Sequence, residues 1–229
     1  MQKDKSRWGT VVMAAIVAWV GVLVSPVFAE KERGPVAVTG QTQCWDLQNT
    51  QIDCSGTGQD GDIQAGVPFP TPRFVQHRNG TVTDRLTGLI WLKNANCFGD
   101  VTWADSLTHA NTLAQGSCGL WDHSKAGDWR LPNVKELQSL IHFGFTSPAL
   151  SNAAGTAPWT EGDAFSNVQE ACYWSSTTTL SPPPQFFEFG FAKCVFFRGF
   201  QIDGVTTAST KNGTLPIWPV RGRKVQERE

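Results

Sequence analysis

The six cysteines of this 229-residue chain, Cys44, Cys54, Cys97, Cys118, Cys172 and Cys194, are the side chains best equipped for covalent chemistry. No Cys-x-x-Cys spacing occurs, which argues against a zinc ribbon and against thioredoxin-type exchange. The cysteines fall instead in three close sequential couples, and the pairing expected is Cys44 with Cys54, Cys97 with Cys118 and Cys172 with Cys194. Each bond closes a short loop and restricts the unfolded chain by on the order of 2 to 3 kcal/mol. Oxidised sulfur needs an oxidising compartment, and the N-terminus points to one. Lys3, Lys5 and Arg7 form a basic start, Val11 to Val24 is apolar and uncharged, and Val27-Phe28-Ala29 places small side chains where signal peptidase reads. Cleavage is expected after Ala29, with a retained anchor as the alternative, although the apolar run is shorter than the ~20 residues of a spanning helix. The mature protein then lies in the periplasm, on the outer surface or in the medium.

The remaining reactive residues do not assemble into a catalytic pattern. His77, His109, His123 and His142 are scattered, form no H-E-x-x-H pair, and read as surface or partly packed residues. Gly116-Ser117-Cys118-Gly119 is a weak cysteine-protease fragment whose thiol is expected to be oxidised. Ser175 and Ser176 follow a Trp on a strand and lack a nearby base. No Walker loop, dinucleotide-binding turn or nucleophile elbow is present. The chain is therefore expected to be no enzyme and to need no cofactor. Calcium is the one metal to weigh: Asp60, Asp62 and Gln64 alternate, but an EF-hand register needs Gly where Ala65 stands and an acid where Thr71 stands.

Sugar recognition needs a flat apolar ring over pyranose C–H groups with amide, carboxylate or hydroxyl groups beside it. Two loop clusters offer this. Trp159 stands with Glu161 and Asp163 in Ala157-Pro158-Trp159-Thr160-Glu161-Gly162-Asp163, and Trp121 stands with Asp122 and His123. Removing the signal segment takes three basic residues and one acid from a chain of net charge −1, leaving −3. A mildly acidic domain has no broad field for phosphate backbones, so nucleic acid is not an expected partner.

The elements that must hold these loops read as α+β. Phe74 to Thr83 places β-favouring residues around Asn79-Gly80, a pair suited to a two-residue type I′ turn. Asp84 to Gly88 makes another turn, and Leu89-Ile90-Trp91-Leu92 is a short strand buried on both faces. Thr102 caps a helix whose apolar face is Trp103, Leu107, Ala110 and Leu113 or Ala114, ending at Gly116. Asn133 and Glu136 form a capping box for a second helix with Val134, Leu137, Leu140 and Ile141 on one face, ending near Gly144. Strands follow at Tyr173 to Ser176, at Phe187, Phe189 and Phe191 with a break near Lys193-Cys194, at Val195 to Phe200, and at Leu215 to Arg221. Trp91, Trp103, Trp129, Trp174 and Trp218 read as core, and Asp128 and Arg130 as fixing the loop that enters the second helix.

Thr87-Gly88-Leu89-Ile90-Trp91, Asp128-Trp129-Arg130-Leu131-Pro132-Asn133-Val134-Lys135-Glu136-Leu137, Tyr173-Trp174-Ser175-Ser176-Thr177 and Pro219-Val220-Arg221-Gly222 occur in that order. This series resembles the C-terminal domain family of the Legionella collagen-like adhesin Lcl over roughly residues 74 to 223. The stretch Cys44 to Gly66 is similar to a leader found before such domains. The resemblance implies a C-type-lectin-like fold, with two helices packed on a twisted antiparallel sheet, and a structural role for Trp91, Trp129, Arg130, Trp174 and Arg221. For the adhesin it implies sulfated-glycan binding by a trimer on a collagen-like stalk. This chain carries no Gly-X-Y repeat before the domain and no obvious basic patch, so neither property is carried over. The expected organisation is a signal peptide at 1–29, a loose lead-in at 30–40, a stapled appendage and Pro-rich connector at 41–73, the main domain at 74–223 and a charged tail at 224–229. The expected function is an exported, non-enzymatic recognition module for a glycan or an envelope protein. The alternatives are an enzyme on the same fold, such as an activity like that of the formylglycine-generating oxidase, and a structural subunit of an envelope assembly.

Overall fold

Residues 36–180, 190–197 and 204–222 are described in the computed structural model. The expected signal segment, the lead-in up to residue 35, Phe187, Phe189, Arg198 to Phe200 and the tail lie outside them. Within the stapled appendage, β1 (Cys44–Trp45) and β2 (Gln51–Ile52) pair antiparallel and the Cys44–Cys54 bond closes their hairpin. The Asp- and Gly-rich stretch after it contains one helical turn, α1 (Asp60–Ile63). Gly61 sits against this disulfide, where a Cβ would come within 2.9 Å of the Cys44 sulfur.

The hairpin about Asn79-Gly80 forms from β3 (Phe74–Gln76) and β4 (Thr81–Asp84), but with a three-residue loop rather than the expected two-residue type I′ turn. His77 N–H donates to the Thr81 carbonyl across it. Asn79 keeps a negative φ because its side-chain oxygen accepts from the Thr81 hydroxyl at 2.8 Å, and Gly80 alone takes the left-handed conformation, φ 83°. β5 (Ile90–Leu92) joins β4, and β11 (Val220–Arg221) joins β5, giving an antiparallel sheet in the order β11-β5-β4-β3. β6 (Asp100–Val101) pairs with β10 (Leu215–Pro216). The single strand expected from Leu215 to Arg221 is thus two, split because Trp218 dives into the core between them and donates its indole N–H to the Leu92 carbonyl at 2.8 Å.

Thr102 caps α2 (Trp103–Thr112) as expected, although the helix stops at Thr112 rather than Gly116. Leu113 has already turned into the extended region there and is buried. α3 (Val134–Leu140) carries the full capping box, with Asn133 accepting from Lys135 and Glu136 and Glu136 reaching back to the Asn133 N–H at 2.8 Å. It ends at Leu140, with Ile141 already extended, before the expected Gly144. Arg130 grips the same Glu136 carboxylate bidentately at 2.6 and 2.7 Å, so the Trp129-Arg130 motif is the fixed entry to the helix. Replacing Glu136 by Ala removes the reciprocal cap and is expected to cost about 1 to 2 kcal/mol in urea unfolding. Arg130→Ala should cost less, under about 1 kcal/mol, because its guanidinium is half exposed.

β7 (Cys172–Thr178), β8 (Phe191–Phe196) and β9 (Thr206–Thr210) form the second sheet in that order, stapled across β7 and β8 by Cys172–Cys194. β8 runs unbroken through Lys193-Cys194, where a break was expected. The ladder and the disulfide both hold it there, and the polar Lys193 side chain remains half-buried. The fold is α+β with antiparallel strand pairing in both sheets.

Trp91, Trp129, Trp174 and Trp218 are all fully buried, as their motif positions suggested. Trp103 is only half-buried; its indole N–H donates to the Ser175 carbonyl at 2.9 Å and Lys211 lies over its ring. His142 departs from its reading as a surface or partly packed residue and is 5% exposed, stacked on Phe145 with ring centroids 4.1 Å apart. Burial, and then the nearby Arg73 guanidinium, hold its pKa down at about 4. The unfolded chain protonates this imidazole near its ordinary value of 6.5, so its contribution is complete above that pH and is lost as pH falls from 6.5 towards 4. Between those limits the stability difference between the wild type and His142→Gln should change by roughly 2 to 3 kcal/mol in favour of the variant. Thermal unfolding of both proteins across this pH range checks it.

Candidate functional site

The surface around Trp121 is built by three segments. The Cys97–Cys118 disulfide, formed as expected, anchors the loop that follows α2 to the segment after β5. The hairpin loop of β3 and β4 then meets it at close quarters. A Cβ on Gly80 would stand 2.3 Å from the Gly119 carbonyl oxygen, so only glycine permits this approach. Trp121 N–H donates to the Asn79 carbonyl at 2.9 Å, and Lys93 N–H to the Gly80 carbonyl at 3.0 Å.

These contacts fix the backbone and leave the Trp121 side chain out, with the residue 71% exposed. Its neighbours in sequence play other parts than expected. The Asp122 carboxylate is buried, receives the Arg221 guanidinium at 3.0 Å and accepts from the Ser124 hydroxyl at 2.6 Å. Arg221 in turn lies 5.2 Å from the centre of the Trp129 ring. Asp122 is therefore a clamp between the loop and β11 rather than an acceptor for sugar hydroxyls. His123 is exposed in the left-handed conformation, φ 58°, with its N–H held by the Gln115 side chain at 2.7 Å.

Beside this loop lies an open groove of about 420 Å³ lined by Gln76, His77, Arg78, Gly80, Lys93 and Gly119. His77, Arg78 and Lys93 bring three basic side chains to one place, which the expectation of no basic patch did not contain. Gly119 on the groove wall is two residues from Trp121, so ring and basic groove adjoin along the chain. Nothing in the local sequence around Arg78 or Lys93 marks them as partners. The signal that points there is Asn79-Gly80, which sets the tight loop that gathers them.

The second expected cluster has a different character. Trp159 is half-buried against the core and donates its indole N–H to the Phe165 carbonyl at 3.3 Å. Both Glu161 oxygens accept from Asn167 N–H at 3.1 Å, and Asp163 accepts from Ala153 N–H at 3.1 Å. A long irregular loop has few ladder partners for its amides, so its own carboxylates supply them. These three residues hold the loop together, and the Trp159 ring expected to contact a ligand is half-buried.

The acids weighed for calcium are likewise engaged. Asp60 accepts from the Thr39 hydroxyl, and Asp62 accepts from Gly58 N–H at 3.0 Å. Their carboxylates serve the α1 turn and its connection to residue 39, and among the described residues no group of three or more His, Cys, Asp or Glu is placed to hold a metal ion. All six cysteines are in disulfides, in the three pairs expected. Ser175 is buried and donates to the Lys193 carbonyl at 2.8 Å. Among the described residues no helix is long and apolar enough to cross a membrane.

The family model described as Lcl C-terminal domain matches residues 80–221. That span covers more than half of the chain and takes in the Trp121 loop, Lys93 and Arg221. No curated protein matches the chain.

Proposed function

Since this chain belongs to the Lcl C-terminal domain family, we propose that it is an exported recognition module which binds a glycan at the Trp121 loop without transforming it. The observation that carries this reading is a large aromatic ring held out to solvent on a backbone fixed by a disulfide, a glycine contact and an Asp–Arg clamp. A ring so placed can cover the C–H face of a pyranose with little ordering cost. The groove with His77, Arg78 and Lys93 supplies donors beside it, which favours a sugar carrying carboxylate or sulfate over a neutral one. The engagement of every cysteine in a disulfide supports a scaffold over thiol chemistry and suits an oxidising compartment. The C-type-lectin-like chain path belongs to the same reading: α2 and α3 beside antiparallel sheets, with long connecting loops, are parts it requires.

A glycan array followed by titration tests this. Trp121→Ala is expected to weaken binding by about tenfold or more while leaving unfolding unchanged. Arg78→Ala and Lys93→Ala should each weaken it and flatten its salt dependence. Undiminished glycan binding by Trp121→Ala would remove this loop from the site. N-terminal sequencing of protein recovered from cell fractions should find Glu30 first, outside the cytoplasm.

A further inference from the structure

The second sheet has an edge that no described residue covers. The register of β8 and β9 shows which backbone groups face it. Lys211 N–H donates to the Gly190 carbonyl and Phe196 N–H to the Val205 carbonyl, so in the register between them Thr207 and Ser209 are the β9 residues whose backbone groups point at β8. Thr206, Ala208 and Thr210 therefore turn their N–H and C=O groups away from β8. Only the Thr210 carbonyl has a described partner, Gly213 N–H at 2.9 Å, and it keeps a second lone pair. The opposite edge of this sheet and both edges of the first sheet are occupied. Arg130 bridges Val220 of β11, Ser176 of β7 donates to the Pro132 carbonyl, and Phe74 of β3 donates to the Ala153 carbonyl.

An open strand is normally guarded by charge, proline or a bulge. Thr206-Thr207-Ala208-Ser209-Thr210 contains no charged residue and no proline, and its pairing with β8 is regular, the irregularity where Gly204 and Val205 both bond Phe196 lying before the strand. The cation that follows it in sequence, Lys211, has its ammonium 4.1 Å from the centre of the Trp103 ring, and Lys193 stands opposite Ala208 on the inner neighbour β8.

We propose that this edge is where a second copy of the chain docks, β9 against β9, antiparallel about a two-fold axis at Ala208. The strand is self-complementary in that register. Ala208 faces Ala208 of the second copy, and Thr206 faces Thr210, so all outward groups of one strand meet outward groups of the other. Two bonds form between the alanines and two more at each flanking threonine pair. Threonine opposite threonine is a favourable cross-strand pair. One step further along, Val205, which is exposed, meets the Lys211 stem instead of a like charge. The interaction doubles the sheet to six strands and presents two Trp121 loops on one particle, which would raise avidity for a repeating glycan. The pairing itself does not depend on the glycan reading.

Sedimentation velocity on the mature chain over a concentration series tests this. Wild type should convert from monomer to dimer. Ala208→Pro deletes an outward N–H while sparing the bonds to β8, and should weaken the dimer by on the order of tenfold to thirtyfold. Ala208→Asp and Ala208→Lys each set like charges opposite one another at the axis and should remain monomeric alone. An equimolar mixture of the two should form a heterodimer again. Circular dichroism shows whether each variant keeps its fold, and should the proline variant lose it, the Asp and Lys mixture decides. A wild type that stays monomeric, a dimer untouched by Ala208→Asp, or a mixture that fails to associate overturns the proposal.

Discussion

Arg73→Met is expected to lower the unfolding free energy by about 3 to 5 kcal/mol, most of the margin of an ordinary domain. Arg73 and Asp84 are both fully buried, with the guanidinium Nε 3.7 Å from a carboxylate oxygen. The guanidinium lies between the rings of Phe69 and Phe74, 4.5 and 4.7 Å from their centres, and donates to the Ser139 carbonyl at the end of α3. Two of its nitrogens, Nε and one terminal nitrogen, have no hydrogen-bond partner. Desolvation outweighs the ion pair on both sides, pushing Arg73 below its ordinary pKa and Asp84 above its own. The pair is thus costly to form and costlier to break. Methionine at position 73 keeps the stem's volume but leaves an unpaired carboxylate, which also accepts from Leu86 N–H and the Thr87 hydroxyl at 3.0 Å. Arg73→Met with Asp84→Asn should recover much of the loss, since the asparagine oxygen still accepts from Leu86 N–H and its NH2 can donate to the Thr87 hydroxyl, without the charge. Urea unfolding of these two variants and of Asp84→Asn alone measures the coupling; an Arg73→Met variant within about 1 kcal/mol of wild type would show that the pair does not hold the two elements together.

Trp218→Ala should cost a similar amount, about 3 to 5 kcal/mol, for a different reason. Its ring lies 4.8 Å from Phe165, 5.5 Å from Tyr173 and 5.8 Å from both Trp91 and Phe197, centre to centre. Those four partners come from the first sheet, the loop after α3 and the second sheet, so the indole is the place where separate elements touch. Truncation leaves a cavity that rigid neighbours cannot close and orphans the Leu92 carbonyl it bonds. Trp218→Phe should retain most of the packing and cost roughly 1 to 2 kcal/mol. Loss of the near-ultraviolet dichroism together with the urea midpoint would report the expected collapse of packing. Trp121→Ala, on the exposed loop, should change stability by less than about 0.5 kcal/mol, which separates a binding aromatic from a core one.

Everything readable before folding was short in range. The asparagine cap and Glu136 sit three residues apart, the disulfide partners lie 10, 21 and 22 residues apart, and Asn79-Gly80 occupies one loop. Propensity, capping and chain closure act over such distances, so residue order alone carries them. Even there the turn type was missed, because the Asn79 side chain found a local hydrogen bond that holds its φ negative. The core role of Trp91, Trp129, Trp174 and Trp218 was also legible, from apolar neighbours and element boundaries.

The rest depends on which distant surfaces meet. Trp121 and Trp159 sit in loops of similar composition, yet one ring is exposed and the other is packed, since the first loop turns Leu120 into the core and the second turns Trp159 against it. His142 carries no local mark of burial, and Arg73 and Asp84 are ordinary charges until β3 and β4 bring them together. The basic groove exists because Lys93 follows a strand that lies beside the strand after Arg78. Burial and long-range pairing belong to the path of the whole chain, and no window of neighbouring residues contains that path.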